Sequence, residues 1–274
     1  MSLSESIGTH LFEDQVVAIT GGAGGLGRVI GETLAALGAD LVLLDREGSG
    51  VVEVAQEIGL QFPDRSCTGL TVDITEPSSV ETVFSHDALA EIDLLINSAG
   101  IREIAPAEEL SPEEWTRVVD VNLNGTFFSI RYALNALKRR KGAILNIASV
   151  AGLIAMENRP AYSATKHAIV GLTKNLAHDL GKYSIRVNAI APGTVKTPMT
   201  EAYYSDAEFL KAMETVVPLK QEGSADDIAR AVVFLGSELA RFVSGTVLPV
   251  DGGWLAQKNY VPGGTSMAYQ SPSS

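Results

Sequence analysis

Short apolar runs alternate with amphipathic stretches along the chain. Seven of the runs are apolar at successive positions, which is typical of strands that are covered on both faces. We interpret these runs as β-strands at Val16–Thr20, Leu41–Asp45, Gly69–Asp73, Leu94–Asn97, Ala143–Ala148, Arg186–Ile190 and Thr246–Val250. The stretches between them have helical periodicity. They predict helices near 25–37, 49–60, 77–90, 112–140, 160–180 and 225–236.

This alternation favours an α/β fold, a Rossmann-type doubly wound parallel sheet of about seven strands flanked by helices. No linker interrupts residues 1–254, so we expect one domain there. Residues 194–223 follow the sixth strand and break the alternation, which predicts a substrate loop. The tail 255–274 is rich in Gly, Ser, Pro and Gln. It is either a disordered extension or a segment that packs on a neighbouring subunit.

Composition narrows the possible partners and compartments. The 274 residues carry a net charge of −12, which argues against nucleic acid and anionic membranes as partners. The single cysteine, Cys67, excludes an intrachain disulfide. Neither a signal peptide nor an apolar run of ~18 residues is evident, so we expect a cytoplasmic protein. The histidines show no metal-ligand spacing, and no metal site is predicted.

A glycine-rich turn, Thr20–Gly27, follows the first strand and opens the first helix. Glycines there let a pyrophosphate approach the helix N-terminus, so Gly21, Gly25 and Gly27 predict a dinucleotide site. Asp45 ends the second strand, where a carboxylate accepts ribose hydroxyls and repels a 2′-phosphate. This favours NAD over NADP, although Arg28 or Arg46 could pair with that phosphate.

Two further strand ends are candidates for the same site. Asp73 would lie beside the adenine ring, or it satisfies loop amides. Asn97-Ser-Ala-Gly100 has small residues that would let the backbone close over a ribose, or it forms a simple turn.

Tyr162 and Lys166 lie four residues apart in a predicted helix and therefore share one face. A lysine ammonium there would lower the pKa of the Tyr162 phenol. Ser149, at a strand end, could bond the reacting oxygen or only cap a turn. The three residues predict a proton-transfer site that interconverts an alcohol and a carbonyl.

In these motifs the chain resembles the short-chain dehydrogenase/reductase family over residues 12–254. The matching positions are Thr20-Gly-x-x-x-Gly25-x-Gly27, Asp73, Asn97-x-Ala-Gly100, Asn122, Ser149, Tyr162-x-x-x-Lys166 and Pro192-Gly193 with Thr197. The resemblance implies NAD(P)-dependent oxidoreduction, the strand order 3-2-1-4-5-6-7 and commonly a homotetramer.

The resemblance also implies roles for individual residues. Tyr162 would be the acid/base and Ser149 would orient the substrate oxygen. Lys166 would hold the nicotinamide ribose, and Asn122 would hold a water that links Lys166 to solvent. The cofactor residues would be Gly21, Gly25, Leu26, Gly27, Asp45, Arg46, Asp73, Ile74, Asn97, Ala99, Gly100, Tyr162, Lys166, Pro192, Gly193, Val195 and Thr197.

Residues that would line the substrate site are mixed in character, with Arg102, Ser149, Arg159 and Tyr203 as candidates. Arg159 could bind an anionic group, or it lies at the surface or a subunit contact. The favoured function is an NAD-dependent dehydrogenase for a secondary alcohol, such as a sugar, polyol or small hydroxy compound. The alternatives are an NADPH-dependent 3-oxoacyl-type reductase and a non-catalytic dinucleotide sensor.

Overall fold

A computed structural model describes residues 10–256 of the chain. Its central feature is a seven-stranded parallel sheet in the order β3-β2-β1-β4-β5-β6-β9. The strands of this sheet are β1 Val16–Thr20, β2 Asp40–Asp45, β3 Cys67–Thr71, β4 Leu94–Asn97, β5 Ala143–Ile147, β6 Arg186–Pro192 and β9 Val247–Val250. The predicted fold class and strand order are confirmed.

Helices cover both faces of the sheet. Their bounds are α1 Gly25–Ala36, α2 Val51–Gln61, α3 Pro77–Phe84, α4 Pro112–Val119, α5 Gly125–Arg140, α6 Pro160–Leu180, α7 Glu201–Tyr204, α8 Ala207–Val216 and α9 Ala225–Gly236. Side chains of α1, α2 and α9 form one core with alternate strand residues such as Val17 and Ile19. Side chains of α3 and α5 form the other core with the intervening residues, such as Ala18. Burial on both faces explains why the strands are apolar throughout.

The segment 194–223 carries short elements between β6 and α9. Two-residue strands, β7 Val195–Lys196 and β8 Gly223–Ser224, pair with each other at its ends. The helices α7 and α8 lie between them. The predicted tail from 257 onward lies outside the described residues, so its prediction stays open.

Several element boundaries predicted from sequence were wrong. The predicted helix 77–90 ends at Phe84, and a separate 3₁₀ turn spans Asp87–Leu89. The third strand spans Cys67–Thr71 and does not extend to Asp73, because the Asp73 carboxylate accepts the Thr75 N–H and closes a turn. The predicted helix 112–140 is interrupted by a π-helical turn at Asp120–Asn124. Within the part of the chain that the structure describes, no helix is both long and apolar enough to cross a membrane.

Candidate active site

A cavity of about 660 Å³ opens at the carboxyl ends of β1, β2, β4, β5 and β6. Parallel strands place their following loops at one edge, so residues far apart in the sequence meet there. Every predicted cofactor residue except Asn97 lines this cavity. The catalytic candidates Ser149, Tyr162 and Lys166 lie in the same wall. One cavity therefore joins the glycine turn to the predicted proton-transfer site.

The glycine turn fits a phosphate-containing ligand. Gly24 is the N-cap residue of α1 and provides no side-chain cap, so the N–H groups of the first turn remain for an anion. A Cβ atom on Gly27 would lie 2.2 Å from the carbonyl oxygen of Gly21, so only glycine lets the turn close. A Cβ atom on Gly25 would lie 2.4 Å from Cδ of Pro198. Gly25 therefore also admits the start of the 194–223 segment, a contact that its sequence context does not reveal.

The adenosine end of the cavity contains Asp45. Its Oδ2 accepts the Ala23 N–H at 3.1 Å and its Oδ1 accepts the Arg46 N–H at 2.8 Å. The hydroxyl of Ser49, also in the cavity wall, is buried and has no hydrogen-bond partner among the described residues. These acceptor and donor groups fit the hydroxyls of a ribose.

Arg28, which the sequence left as a partner for a 2′-phosphate, is already paired. Its guanidinium contacts Glu32 and Glu57, each at 2.9 Å. Arg46 is exposed in the cavity wall and makes no ion pair with a described residue. Of the two arginines, only Arg46 is therefore available to bind a 2′-phosphate and so to oppose the preference for NAD that Asp45 favours.

Two predicted cofactor residues have other contacts. Asp73 lines the cavity, but its carboxylate accepts both the N–H and the hydroxyl of Thr75. Asn97 lies in the interior, where its Nδ2 donates to Asn146 at 2.9 Å. Its side chain is therefore not part of the cavity wall. Among residues 10–256, no group of three His, Cys, Asp or Glu residues could hold a metal ion.

The proton-transfer residues come from two elements. Ser149 follows β5 and accepts the Ala151 N–H at 3.1 Å, which caps a short 3₁₀ turn. Tyr162 and Lys166 lie in the first two turns of α6. Lys166 is buried and its Nζ donates to the carbonyl oxygen of Ile147 at 2.7 Å, while remaining 5.6 Å from the centre of the Tyr162 ring.

The expected lowering of the Tyr162 pKa by Lys166 was wrong for this structure. Burial raises the pKa of Tyr162, because the phenolate loses its hydration. A hydrogen bond with Ser149 and the charges of Arg102 and Arg159 partly oppose that rise. Burial also lowers the pKa of Lys166 to about 8, because the buried ammonium loses its hydration and the charged form is disfavoured.

Asn122 connects three parts of the site. Its Oδ1 accepts the Ile101 N–H at 2.8 Å, and its Nδ2 donates to the Ile101 carbonyl oxygen at 2.9 Å. The same Nδ2 donates to the Thr165 hydroxyl at 3.2 Å. Asn122 thereby ties the loop after β4 to α6 from within the π-helical turn, a feature common at functional sites.

Glu103 has a helix-capping role in the site that sequence reasoning missed. It is 2% exposed, and its carboxylate accepts the N–H groups of Ala161 at 2.7 Å and Tyr162 at 3.0 Å. It therefore caps the N-terminus of α6, whose own N-cap residue, Arg159, makes no side-chain cap bond. The absence of a good local cap before Pro160 was the available signal.

We expect Glu103→Gln to destabilise the protein by about 1–2 kcal/mol, since a buried negative charge at a helix N-terminus is lost. The Glu103 charge also raises the pKa of Tyr162. Its removal should therefore move the pH profile of alcohol oxidation to lower pH. Glu109→Gln, on the exposed part of the same loop, is the control. An unchanged pH profile in Glu103→Gln would show that Glu103 has only a structural role.

Two substrate candidates, Arg102 from the loop after β4 and Arg159 from the residue before α6, contact α7 or the segment just before it. Arg159 donates to the Glu103 carbonyl oxygen at 2.8 Å and to the Tyr203 hydroxyl. Arg102 donates to the carbonyl oxygen of Met199, which lines the cavity. Both arginines are half-buried, so Arg159 is not a free surface residue.

Comparison with known proteins identifies the relationship. A family model described as enoyl-(acyl carrier protein) reductase matches residues 21–255. Levodione reductase from Leifsonia aquatica is 37% identical over 255 residues, which cover 89% of this chain and 96% of that protein. The chain belongs to the short-chain dehydrogenase/reductase family. The family expected from the sequence is confirmed.

Two further proteins extend the comparison of this short-chain dehydrogenase/reductase. Trans-4-hydroxycyclohexanecarboxylate dehydrogenase from Sinomonas cyclohexanicum is 35% identical over 252 residues, covering 90% of this chain and 95% of that protein. A protein from Agrobacterium tumefaciens, provisionally named 2-deoxy-D-gluconate 3-dehydrogenase, has a crystal structure with bound NADP. It matches with a TM-score of 0.82 and 37% identity, covering 89% of this chain and 98% of that one.

These relatives confirm the predicted reaction class. The chain is an oxidoreductase that interconverts a secondary alcohol and its ketone with a nicotinamide dinucleotide. The expectation of a non-catalytic sensor is not supported. The geometry of Ser149, Tyr162 and Lys166 in the cavity wall suits that reaction.

Proposed function

We propose that this enzyme is an NAD-preferring dehydrogenase for a small secondary alcohol, with Tyr162 as its acid/base. The observation that carries the proposal is the meeting of Ser149, Tyr162 and Lys166 in one cavity that continues to Asp45 and the glycine turn. When bound, the nicotinamide ring supplies the hydride acceptor. The relatives named for levodione and trans-4-hydroxycyclohexanecarboxylate favour a cyclic substrate.

The roles of the side chains follow from their contacts. Tyr162 Oη takes the hydroxyl proton during oxidation and returns it during reduction, because it is the buried titratable group beside Ser149. The Ser149 hydroxyl orients the same substrate oxygen. Lys166, held by the Ile147 carbonyl oxygen, has further N–H groups for a ribose hydroxyl and a proton path. Asn122 holds the loop after β4 against α6, which keeps Tyr162 and Lys166 in fixed positions relative to that loop.

The test is a cofactor-reduction assay with purified protein, NAD and a panel of cyclic, sugar and polyol secondary alcohols. Turnover of such alcohols with NAD supports the proposal. The alternative, a 3-oxoacyl-type reductase, predicts NADPH oxidation with acyl thioesters and no activity on the alcohols. That second result would contradict the proposed substrate class.

The choice of NAD rests on Asp45, whose carboxylate would face a 2′-phosphate with like charge. We expect higher kcat/KM with NAD in the wild type and a shift toward NADP in Asp45→Ser, with Arg46 available to the phosphate. Because the Asp45 carboxylate would repel the 2′-phosphate, kcat/KM of the wild type should be about tenfold or more higher with NAD than with NADP.

Asp45→Asn separates charge from hydrogen bonding. It removes the repulsion but keeps an acceptor for the Ala23 N–H, so its cofactor preference should fall between the other two proteins. A wild type that already prefers NADP, as the NADP-bound Agrobacterium structure would suggest, would refute the assignment of Asp45.

We further propose a cytoplasmic homo-oligomer, most simply a tetramer. The single cysteine is consistent with a reducing compartment. Trp115 on α4 and Phe127 on α5 are 42% and 44% exposed, and apolar side chains of this size favour a subunit contact. A monomeric mass in light scattering would refute the oligomer.

A further inference from the structure

Two arginines and a tyrosine form a cluster beside the proton-transfer site. The guanidinium carbon of Arg102 lies 4.5 Å from the centre of the Tyr203 ring, and that of Arg159 lies 6.0 Å from it. The two arginines come from different segments, the loop after β4 and the residue before α6, and Tyr203 comes from α7. The tertiary structure therefore places two positive charges around one ring of the segment 194–223.

Neither charge is neutralised by a described carboxylate. Arg102 and Arg159 make no ion pair within residues 10–256, and their hydrogen-bond acceptors are the uncharged oxygens of Met199, Glu103 and Tyr203. The arginines that do pair with carboxylates are Arg28, Arg65, Arg117, Arg140 and Arg230. The nearby Glu103 carboxylate is directed to the backbone of α6. Each arginine therefore keeps guanidinium N–H donors for a ligand.

The cluster adjoins residues of the active-site cavity. Arg159 lies three residues before Tyr162, and Arg102 directly follows Ile101, which lines the cavity. The charges of both arginines act to lower the pKa of Tyr162, which is consistent with that placement. Arg102 further contacts Met199, a residue of the cavity wall. A substrate that has its hydroxyl at Tyr162 and reaches past Met199 would come to the two guanidinium groups.

We propose that the substrate is a hydroxy acid, and that Arg102 and Arg159 bind its carboxylate while its hydroxyl carbon faces Tyr162. This inference rests on the proposed function and adds the charge of the substrate to it. A guanidinium matches a carboxylate with two parallel hydrogen bonds, so the pair sets both affinity and orientation. Tyr203 contacts both guanidinium groups, so their positions depend on the conformation of the segment 194–223.

The overall charge of the protein opposes the approach of an anionic substrate. At −12, the protein repels anions at long range. Two un-neutralised arginines at the site would reverse that repulsion within a few ångströms, where salt screens it less than at an exposed surface. The clamp should therefore act mainly on KM, since it binds the substrate away from the bond that reacts.

The experiment uses matched pairs of secondary alcohols, each pair a hydroxy acid and its neutral primary amide. With wild-type enzyme and NAD, we expect kcat/KM to be about tenfold or more higher for the acid, the size expected for charge-assisted hydrogen bonds. Arg102→Gln and Arg159→Gln should each reduce the acid-to-amide ratio severalfold, and Arg159→Lys should reduce it less than Arg159→Gln. The control is Arg131→Gln, which removes an exposed arginine that also lies 6.0 Å from a tyrosine ring.

Binding provides a second measurement that does not require turnover. Calorimetry should detect the hydroxy acids but not the amides on the enzyme with NADH, and the Arg102 and Arg159 variants should lose that binding. Equal turnover of acids and amides would overturn the inference and leave the proposed function intact. Arginine-dependent binding of the acids without turnover of any alcohol would contradict the proposed function and support the clamp. No binding and no turnover of the acids would overturn the inference, and the proposed function would fall with it only if the neutral alcohols were not turned over either.

Discussion

Tyr162→Phe should reduce kcat for alcohol oxidation by about 10²–10⁴-fold, the usual contribution of a general acid/base. The substitution removes one oxygen and keeps the buried ring, so the cavity and α6 should be preserved. Cofactor affinity and thermal stability should therefore stay close to the wild type. Steady-state kinetics, cofactor titration by fluorescence and thermal unfolding measure the three quantities.

The pH dependence gives a second test of Tyr162. Oxidation requires the deprotonated phenol, and burial raises the pKa of Tyr162. The rate of oxidation by the wild type should therefore rise toward alkaline pH, and this rise should be lost in Tyr162→Phe. Tyr132→Phe, a half-buried tyrosine of the second core, is the control and should retain both activity and pH profile. A Tyr162→Phe enzyme with most of its turnover would refute the assignment of the acid/base.

Lys166→Met should abolish most turnover and weaken cofactor binding, yet it should not destabilise the protein at pH 7. Lys166 is 6% exposed, and burial lowers its pKa from 10.5 to about 8. That shift corresponds to an unfavourable contribution of about 3 kcal/mol to folding at pH 7, because each pKa unit is worth about 1.4 kcal/mol. Methionine fills a similar volume without that cost, although the bond to the Ile147 carbonyl oxygen is lost.

The sign of the pH effect follows from proton linkage. Between pH 8 and 10.5 the unfolded lysine binds more protons than the folded one, so the stability of the wild type should rise with pH relative to Lys166→Met. Below pH 8 the difference should be constant. Urea unfolding at pH 7 and pH 10 measures the difference in the free energy of unfolding between the two proteins at each pH. Lys174→Met, which replaces an exposed lysine of the same helix, is the control. A stability difference independent of pH would show that Lys166 is not held against a desolvation cost.

The parts of this enzyme that depend on local periodicity could be predicted from the sequence. Continuous apolar runs predicted a sheet buried on both faces, and the glycine turn after β1 predicted the dinucleotide end of the cavity. The four-residue spacing of Tyr162 and Lys166 placed both on one helix face, because the helical repeat is fixed by the backbone. The common edge of the parallel strands then brought Ser149 and Asp45 to the same cavity.

The environment of those residues depends on the folded chain and could not be predicted from the sequence. The pKa of Tyr162 rises because the packed chain removes water from the phenol, and no spacing of residues reports desolvation. Glu103 caps α6 across 58 residues of sequence, and Asn122 bonds Ile101 across 21. Arg102, Arg159 and Tyr203 come from three separate segments and meet only in the folded chain. Helical and strand periodicity act over a few residues, whereas burial, charge and hydrogen-bond partners are set by neighbours that only the fold supplies.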